Sequence, residues 1–556
     1  MNLFKNSGFL NICVFFAISL CASAVLAATA VPADLLTGWN TLQQAEIKTD
    51  VSYLASDKLQ GRLTLADGDT LAVHWIAAEF KKAGLKPANG NSYLQAVPLI
   101  QYVPDRKNSY IRLENKAGQK QWKKPEVVTE FRQNININSD VVFAGYGITA
   151  PAMHYDDYQN IDVRGKMVMV FEHEPQETDP ASIFNGVANT RFATNRIKAL
   201  NAQMHGAVAV LIAPEPNRKH PSNQERSARI GGSTERKNPL PSFVLANDEL
   251  QIPIITLSDA AAKDIAGPSL SLAKLQKAID RDLTPRSQLI ADTKVTVHDQ
   301  VQSSTTGNTY NVAALLEGSD PALKQETIII SAHHDHDGAG DGKVWHGADD
   351  NASGTAGVVS LARAMAANSH ASSGVQPKRS ILFVVFAAEE RGLLGAFYMA
   401  GHPLRPLTTT RAMLNFDMIG RNETKSQQTT NLITIPANTK NRLNLIGSHY
   451  SPDYNKTVTA KNKHVGLTLD YRFDNENALN TFFRSDQFPF ILKNVPAFWW
   501  FTGFHPDYHH DTDTADKINY AKMQKILRLA YLSAYEFADQ AAIPGFIENP
   551  GLAGTS

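Results

Sequence analysis

Five short stretches of this 556-residue chain concentrate histidine with aspartate and glutamate: HHDHDG (333–338), HGADDNASG (346–354), EER (389–391), DMIGR (417–421) and FHPDYHHDTDT (504–514). No thiolate joins them, because the only cysteines, Cys13 and Cys21, lie near the N-terminus. Imidazole mixed with carboxylate is a donor set that zinc accepts in tetrahedral or five-coordinate sites. Three ligands per ion with one carboxylate shared makes two ions from five residues, and two ions about 3.5–4 Å apart clamp a water and polarise a carbonyl. The pair Glu389-Glu390 fits that chemistry. Adjacent side chains beyond a strand end point in different directions, so one can ligate while the other takes a proton.

Four of the stretches follow apolar runs: ETIIISA, SILFVVFA, RAMLNF and PAFWWFT. The runs alternate with amphipathic segments, among them SGTAGVVSLARAMAAN, GLLGAFYMAG, NTKNRLNLIGSHY and NYAKMQKILRLAYLSAYEFADQ, which are predicted to be helices. Apolar strands alternating with helices predict an α/β fold with a mostly parallel central sheet covered on both faces. In such sheets ligands collect at the carboxyl ends of the strands. Charged residues gathered on that rim need partners, and metal is the economical one.

The remainder of the chain is ordinary in composition. Hydrophobic residues are 43% and charged residues 19%, which excludes wholesale disorder. Lys and Arg number 54 and Asp and Glu 54, so no global basic field holds nucleic acid or an anionic membrane. Residues 1–27 read as a signal peptide: a basic start at Lys5, an apolar run, and Val25-Leu26-Ala27 before the cut. Its removal leaves a cysteine-free, soluble, exported chain, periplasmic or secreted. Residues 28–138 open with helical periodicity. Residues 139–290 change texture, with short apolar strands (DVVFAGYGI, GKMVMVFE, AVAVLIAP, IPIITLS), and read as a separate small α/β insert. Within it Asn217 to Asn238 is predicted to be an exposed basic loop, and residues 275–290 an exit linker. Residues 291–545 carry the clusters, and 546–556 form a polar tail.

SAHHDHDG, GADDNASG, FAAEERGLLGA, NFDMIGR and HPDYHHDTDTADKI together resemble the co-catalytic zinc aminopeptidases grouped with glutamate carboxypeptidase and the transferrin receptor, peptidase family M28. LASDKLQGR and AAEFKKAGLKP resemble that family's opening helices, and FAGYGI its inserted protease-associated (PA) domain. The resemblance implies a phosphorylase/hydrolase-like zinc exopeptidase fold, two zinc ions and a peptide substrate. Position by position it implies His333 and Asp417 on one zinc, Asp350 bridging, and Glu390 with His509 on the other. It makes Glu389 the general base and Asp335 the carboxylate that orients His333. The family's last histidine precedes an Asp-Thr pair by four residues, and counting back from Asp513-Thr514 selects His509.

Several neighbours compete. His334 and His336 flank His333, and His505 and His510 flank His509; each reads as a supporting or surface histidine. Asp349 reads as a helix-start or supporting residue. Arg391 and Arg421 read as structural ion pairs or as contacts to a substrate carboxylate. Phe501 and Phe504 end a core strand near the rim and offer walls for a side-chain pocket. The expected activity is an aminopeptidase. The alternatives are a carboxypeptidase or dipeptidase holding a free C-terminus, a glutaminyl cyclase, and a binding protein that keeps the fold without catalysis.

Overall fold

The computed structural model describes residues 30–129, 131–230 and 236–553. The expected signal peptide, and residues 554–556 of the expected tail, lie outside them. Among the described residues no helix is long and apolar enough to cross a membrane.

The larger sheet contains nine strands in a continuous order. In chain order they are β1 (Leu94–Pro104), β2 (Ser242–Leu245), β3 (Val301–Leu316), β4 (Thr327–His333), β5 (Ser380–Phe386), β6 (Thr410–Phe416), β7 (Arg442–Ile446), β8 (Thr468–Asp470) and β9 (Ala497–Phe501). Across the sheet they run β2-β1-β3-β5-β4-β6-β9-β7-β8. The four central strands β5, β4, β6 and β9 are mutually parallel. β1, β2 and β3 on one flank and β7 on the other join antiparallel. The expected parallel sheet is therefore the centre of a mixed one. Every residue of β4, β5 and β9 is buried, which is why those runs are apolar throughout rather than alternating.

Helices Gly354–His370 and Tyr520–Asp539 cover one face of this sheet. Their contact is close because small residues line it: a Cβ on Gly357 would stand 3.0 Å from Leu527 and 3.1 Å from Ile419. The segment NTKNRLNLIGSHY, expected as a helix, instead supplies β7. Its backbone pairs antiparallel with β9, and that tertiary pairing overrides a weak local helical pattern.

The second sheet has eight strands drawn from Tyr110–Asn115 through Gln288–Asp299. Its centre is again parallel: Ile135–Phe143, Met167–Phe171, Ala209–Ala213 and Ile254–Leu257. The expected linker at 275–290 is mostly ordered structure, namely helix Leu272–Asp282 followed by strand Gln288–Asp299. The chain leaves the larger sheet after Pro104 and returns at Val301, which pair with each other. Asp105 N–H donates to the Gln300 carbonyl across this neck at 2.7 Å. Buried Asp299 pins it further, accepting from Ser109 Oγ at 2.7 Å and Phe131 N–H at 2.6 Å. The excursion also lends β2 to the larger sheet, so the two bodies share an edge as well as a neck.

Candidate metal centre

The carboxyl ends of β4, β5, β6 and β9 open on one rim, and each delivers its polar stretch there. Ala388 (φ 53°), Met418 (φ 57°) and His509 (φ 58°) take left-handed backbone conformations at these turns, a conformation that non-glycine residues hold only where surroundings enforce it. Asp335 is one enforcer. Its carboxylate accepts the N–H of Glu389 at 2.9 Å and of Glu390 at 3.3 Å, and the Thr64 hydroxyl at 3.2 Å.

Five of the expected residues converge as two triads around Asp350. His333 Nε2 is 3.5 Å from Asp350 Oδ1 and 3.5 Å from Asp417 Oδ1. His509 Nε2 is 3.4 Å from Asp350 Oδ2 and 3.3 Å from Glu390 Oε2. Asp350 thus turns one oxygen to each imidazole. Glu389 stands beside the first triad, its Oε2 3.8 Å from His333 Nε2.

Electrostatics argue that this rim is built for cations. Asp350, Glu389, Glu390 and Asp417 meet there with few positive charges among them. Burial pushes the Asp350 carboxyl well above its usual range, and the neighbouring Glu390 and Asp417 add to it. Burial does the same to Glu389 against the pull of His333, and Glu390, Asp417 and Asp486 add to it. Among the described residues, buried His333 Nε2 has no hydrogen-bond partner. An orphaned imidazole nitrogen facing crowded carboxylates suits a divalent metal, and imidazole mixed with carboxylate is a donor set that zinc accepts.

Asp335 stands behind His333, the ring it was expected to orient: its Oδ1 is 3.7 Å from His333 Nδ1 and its carbonyl oxygen 3.2 Å away. The same carboxylate holds the Glu389-Glu390 turn. His509 is oriented by Asp337, which the sequence reading did not single out: Nδ1 lies 2.6 Å from Asp337 Oδ2, and Arg391 holds Oδ1 at 2.6 Å. Burial alone would raise Asp337, but His509 and Arg391 outweigh it and hold the carboxyl well below the usual range. Asp337 ends a run of alternating His and Asp, so it carried a signal only in retrospect. Arg62 carried none. It is 1% exposed and donates to the carbonyls of Leu54, His334, His346 and Gly347, tying the loops of two clusters together. Asp513 accepts both the Asp349 and Asp350 N–H groups, at 2.9 and 3.1 Å.

The competing residues fall into place. His336 Nδ1 lies 2.7 Å from Glu390 Oε1, and with Asp350 and Glu390 it forms a further group within metal reach. His334 pairs with Asp69 at 2.9 Å and His505 with Asp349 at 3.2 Å. Arg391 pairs with Asp337 and Arg421 with Asp507, both at 2.6–2.7 Å, so both serve structural ion pairs. Phe501 and Phe504 are buried in an aromatic cluster with Phe473; only Phe504 reaches toward the rim, through Tyr508, which contacts His509.

The stretch from Asn217 to Asn238, expected as an exposed loop, is a correction. It contains helix Asn223–Ile230, and two of its described arginines, Arg229 and Arg236, reach other segments. Arg229 donates to the Thr430 carbonyl at 3.3 Å. Arg236 donates to the Asp337 carbonyl at 2.5 Å and stacks 3.5 Å over the Trp345 ring. Uncapped carbonyls and carboxylates at the rim attract those side chains, an interaction invisible to local composition. Insert residues including Lys124, Gln224 and Pro241 wall a cavity of about 840 Å³ that reaches Glu390 and Arg391. Arg226, Arg229 and Arg484 line an adjoining cleft of about 350 Å³.

Residues 311–534 match the model of peptidase family M28, and residues 133–265 match the PA domain. "Leucine aminopeptidase 2" of Arthroderma otae is 29% identical over 291 residues, 48% of this chain and 52% of the relative. A "Probable zinc metalloprotease" of Leptosphaeria maculans is 26% identical over 270 residues, 44% of this chain and 58% of the relative. The chain spans about half the length of the curated relatives it matches. Among solved structures, an aminopeptidase from Aneurinibacillus sp. strain AM-1 aligns over 91% of this chain and 97% of its own, with 18% identity and a TM-score of 0.49.

Proposed function

We propose that this chain, which carries a peptidase family M28 region at residues 311–534 and a PA domain at residues 133–265, is an exported two-zinc aminopeptidase. The observation that carries the reading is Asp350 standing between two histidine-centred triads, 3.5 Å from His333 and 3.4 Å from His509, with Glu389 beside them. His333, Asp350 and Asp417 would hold one ion, and Asp350, Glu390 and His509 the other. When bound, the ions supply Lewis acidity toward a peptide carbonyl and toward water. Glu389 accepts the proton of the attacking water and delivers it to the leaving amine. Its burial favours that exchange, because a carboxylate raised toward neutrality serves as both base and acid. Asp337 and Arg391 keep the His509 ring in register, and Arg62 keeps the loop carbonyls from competing for the centre.

The insert's walls close the approach to Glu390 from one side, which favours chain ends over internal bonds. Relatives named leucine aminopeptidase support an apolar N-terminal residue as substrate. Export rests on the composition of residues 1–27. A carboxypeptidase reading has one observation in its favour, the arginine-lined cleft of Arg226, Arg229 and Arg484. The deciding experiment counts zinc on the purified chain and follows free and blocked peptides by mass. N-terminal residues lost only from peptides with a free amine support the aminopeptidase. Trimming from the C-terminus moves the assignment to the carboxypeptidase, and zinc without cleavage of any peptide removes both.

A further inference from the structure

A second mixed cluster of histidine and glutamate lies in the insert, far along the chain from the catalytic rim. Strands Met167–Phe171 and Ala209–Ala213 are parallel neighbours that end level, with Ala213 paired to Phe171. His173 and Glu215 each stand two residues beyond those ends. His173 Nδ1 lies 3.0 Å from Glu215 Oε1 and 3.7 Å from Glu177 Oε2. His220 Nε2 lies 2.7 Å from Glu177 Oε1, and the two imidazoles meet edge to face with centroids 4.4 Å apart. The side chains of His173 and Glu215 are each 1% exposed.

The hydrogen bonds of this cluster turn each imidazole toward a carboxylate. His220 Nδ1 is 2.9 Å from the Pro221 carbonyl, which can only accept, so Nδ1 carries the proton. Nε2 faces Glu177 Oε1 at 2.7 Å, and against burial that carboxylate favours the protonated ring. A backbone carbonyl fixing Nδ1–H while Nε2 faces a binding position is the usual support for a metal-bound histidine. Among the described residues, Glu215 Oε2 and Glu177 Oε2 are buried with no hydrogen-bond partner. Two cations lie nearby, but their protons go elsewhere in part. Lys198 donates to the carbonyls of Tyr146 and His173. Arg226 donates to the Pro221 carbonyl and Asn223, reaches His173 Nε2 at 3.0 Å, and lies 3.8 Å from Glu172.

We propose that His220, Glu177, Glu215 and His173 form a binding site for a single zinc-class divalent ion, separate from the catalytic pair. Two imidazole nitrogens and two carboxylate oxygens complete a tetrahedral set with no position open for substrate, so the ion is structural. Binding releases the His220 Nε2 proton to solvent and moves the single His173 proton from Nδ1 to Nε2, so Arg226 turns from that nitrogen toward Glu172. The site ties the turn after one strand to the segment that leads into helix Asn223–Ile230. It also borders the catalytic body: Asn477 donates to the Glu177 carbonyl at 3.2 Å, and Asn480 to Asn223 at 3.4 Å. The ion would thereby hold the insert's arginine-bearing wall against the substrate cleft.

The test counts zinc per folded full-length chain for the native protein and for Glu215→Gln and His220→Gln. Each variant is expected to lose one equivalent relative to the native chain while still cleaving the native chain's peptide substrate. Equal zinc in the native chain and both variants overturns the site. If the variants fail to fold, anomalous diffraction at the zinc edge from native crystals decides the matter. A peak between His173 and His220 supports the site, and its absence from crystals grown with excess zinc shows a protonated His220–Glu177 ion pair and overturns it.

Discussion

The candidate metal centre at the rim and the insert's cluster place the same residue types at the same kind of position, just past the carboxyl ends of adjacent parallel strands. They differ in how the carboxylates are shared. At the rim, Asp350 serves two histidines and Glu389 is left over, beside the donors rather than among them. In the insert, the four donor atoms lie within 4.8 Å of one another, and the neighbouring Glu172 is taken up by the Asn223 N–H and Arg226. A parallel strand end gathers donors in either case. A spare acid and a shared ligand make such a site reactive, whereas a closed set makes it a fastener.

Replacing the spare acid breaks the comparison most severely. Glu389→Gln is expected to lower kcat by about 10²–10⁴-fold, the usual worth of general acid–base catalysis, with zinc content unchanged. Unchanged kcat on steady-state assay would remove Glu389 from its role. Stripping zinc with a chelator should abolish cleavage altogether, and added zinc should restore it.

Asp337→Asn tests whether the rim depends on support as the insert's His220 does on a carbonyl. Loss of a carboxylate behind a ligating histidine typically costs about 10–100-fold in metal affinity. Competition with a chromogenic chelator would show it, and affinity equal to the native chain would contradict the assignment. Arg236→Ala loosens the hold of the insert on the rim. Losing its carbonyl bonds and its stacking on Trp345 should cost about 1 kcal/mol of stability, read by chemical unfolding.

A pH profile separates the two bodies. Glu174, buried in the insert and accepting from Thr190 N–H at 2.9 Å, has its pKa pushed from 4.5 to about 8, chiefly by burial. The unfolded chain loses this proton first. Its contribution is therefore greatest below about 4.5 and falls as pH rises from there to about 8. Glu174→Gln should flatten that part of the stability profile, and an unaltered slope would show that Glu174 does not cause it.

Much of this was written in local sequence. The apolar runs of β4, β5, β6 and β9 and the polar stretches after them could be read because strand burial and strand-end chemistry leave short, contiguous marks, whereas the choice of His333, Asp350, Glu390, Asp417 and His509 within those stretches came from the family resemblance. β7 could not, because its state is set by an edge partner in β9 rather than by its own periodicity. Arg62 and Arg236 were unreadable for the same reason. Each serves carbonyls or rings that lie more than a hundred residues away, Arg62 at His334 and Gly347 and Arg236 at Asp337 and Trp345.

The sequence by itself determined which donors exist, that none is a thiolate, and that they follow strands. Only the tertiary structure decided which oxygen faces which nitrogen. It turned Asp335 toward the Glu389-Glu390 turn, gave Asp337 to His509, and brought His173 and Glu215 together across 42 residues of chain. A donor's type is a property of one residue, but its partner is chosen by packing, and packing brings together residues that no local pattern connects.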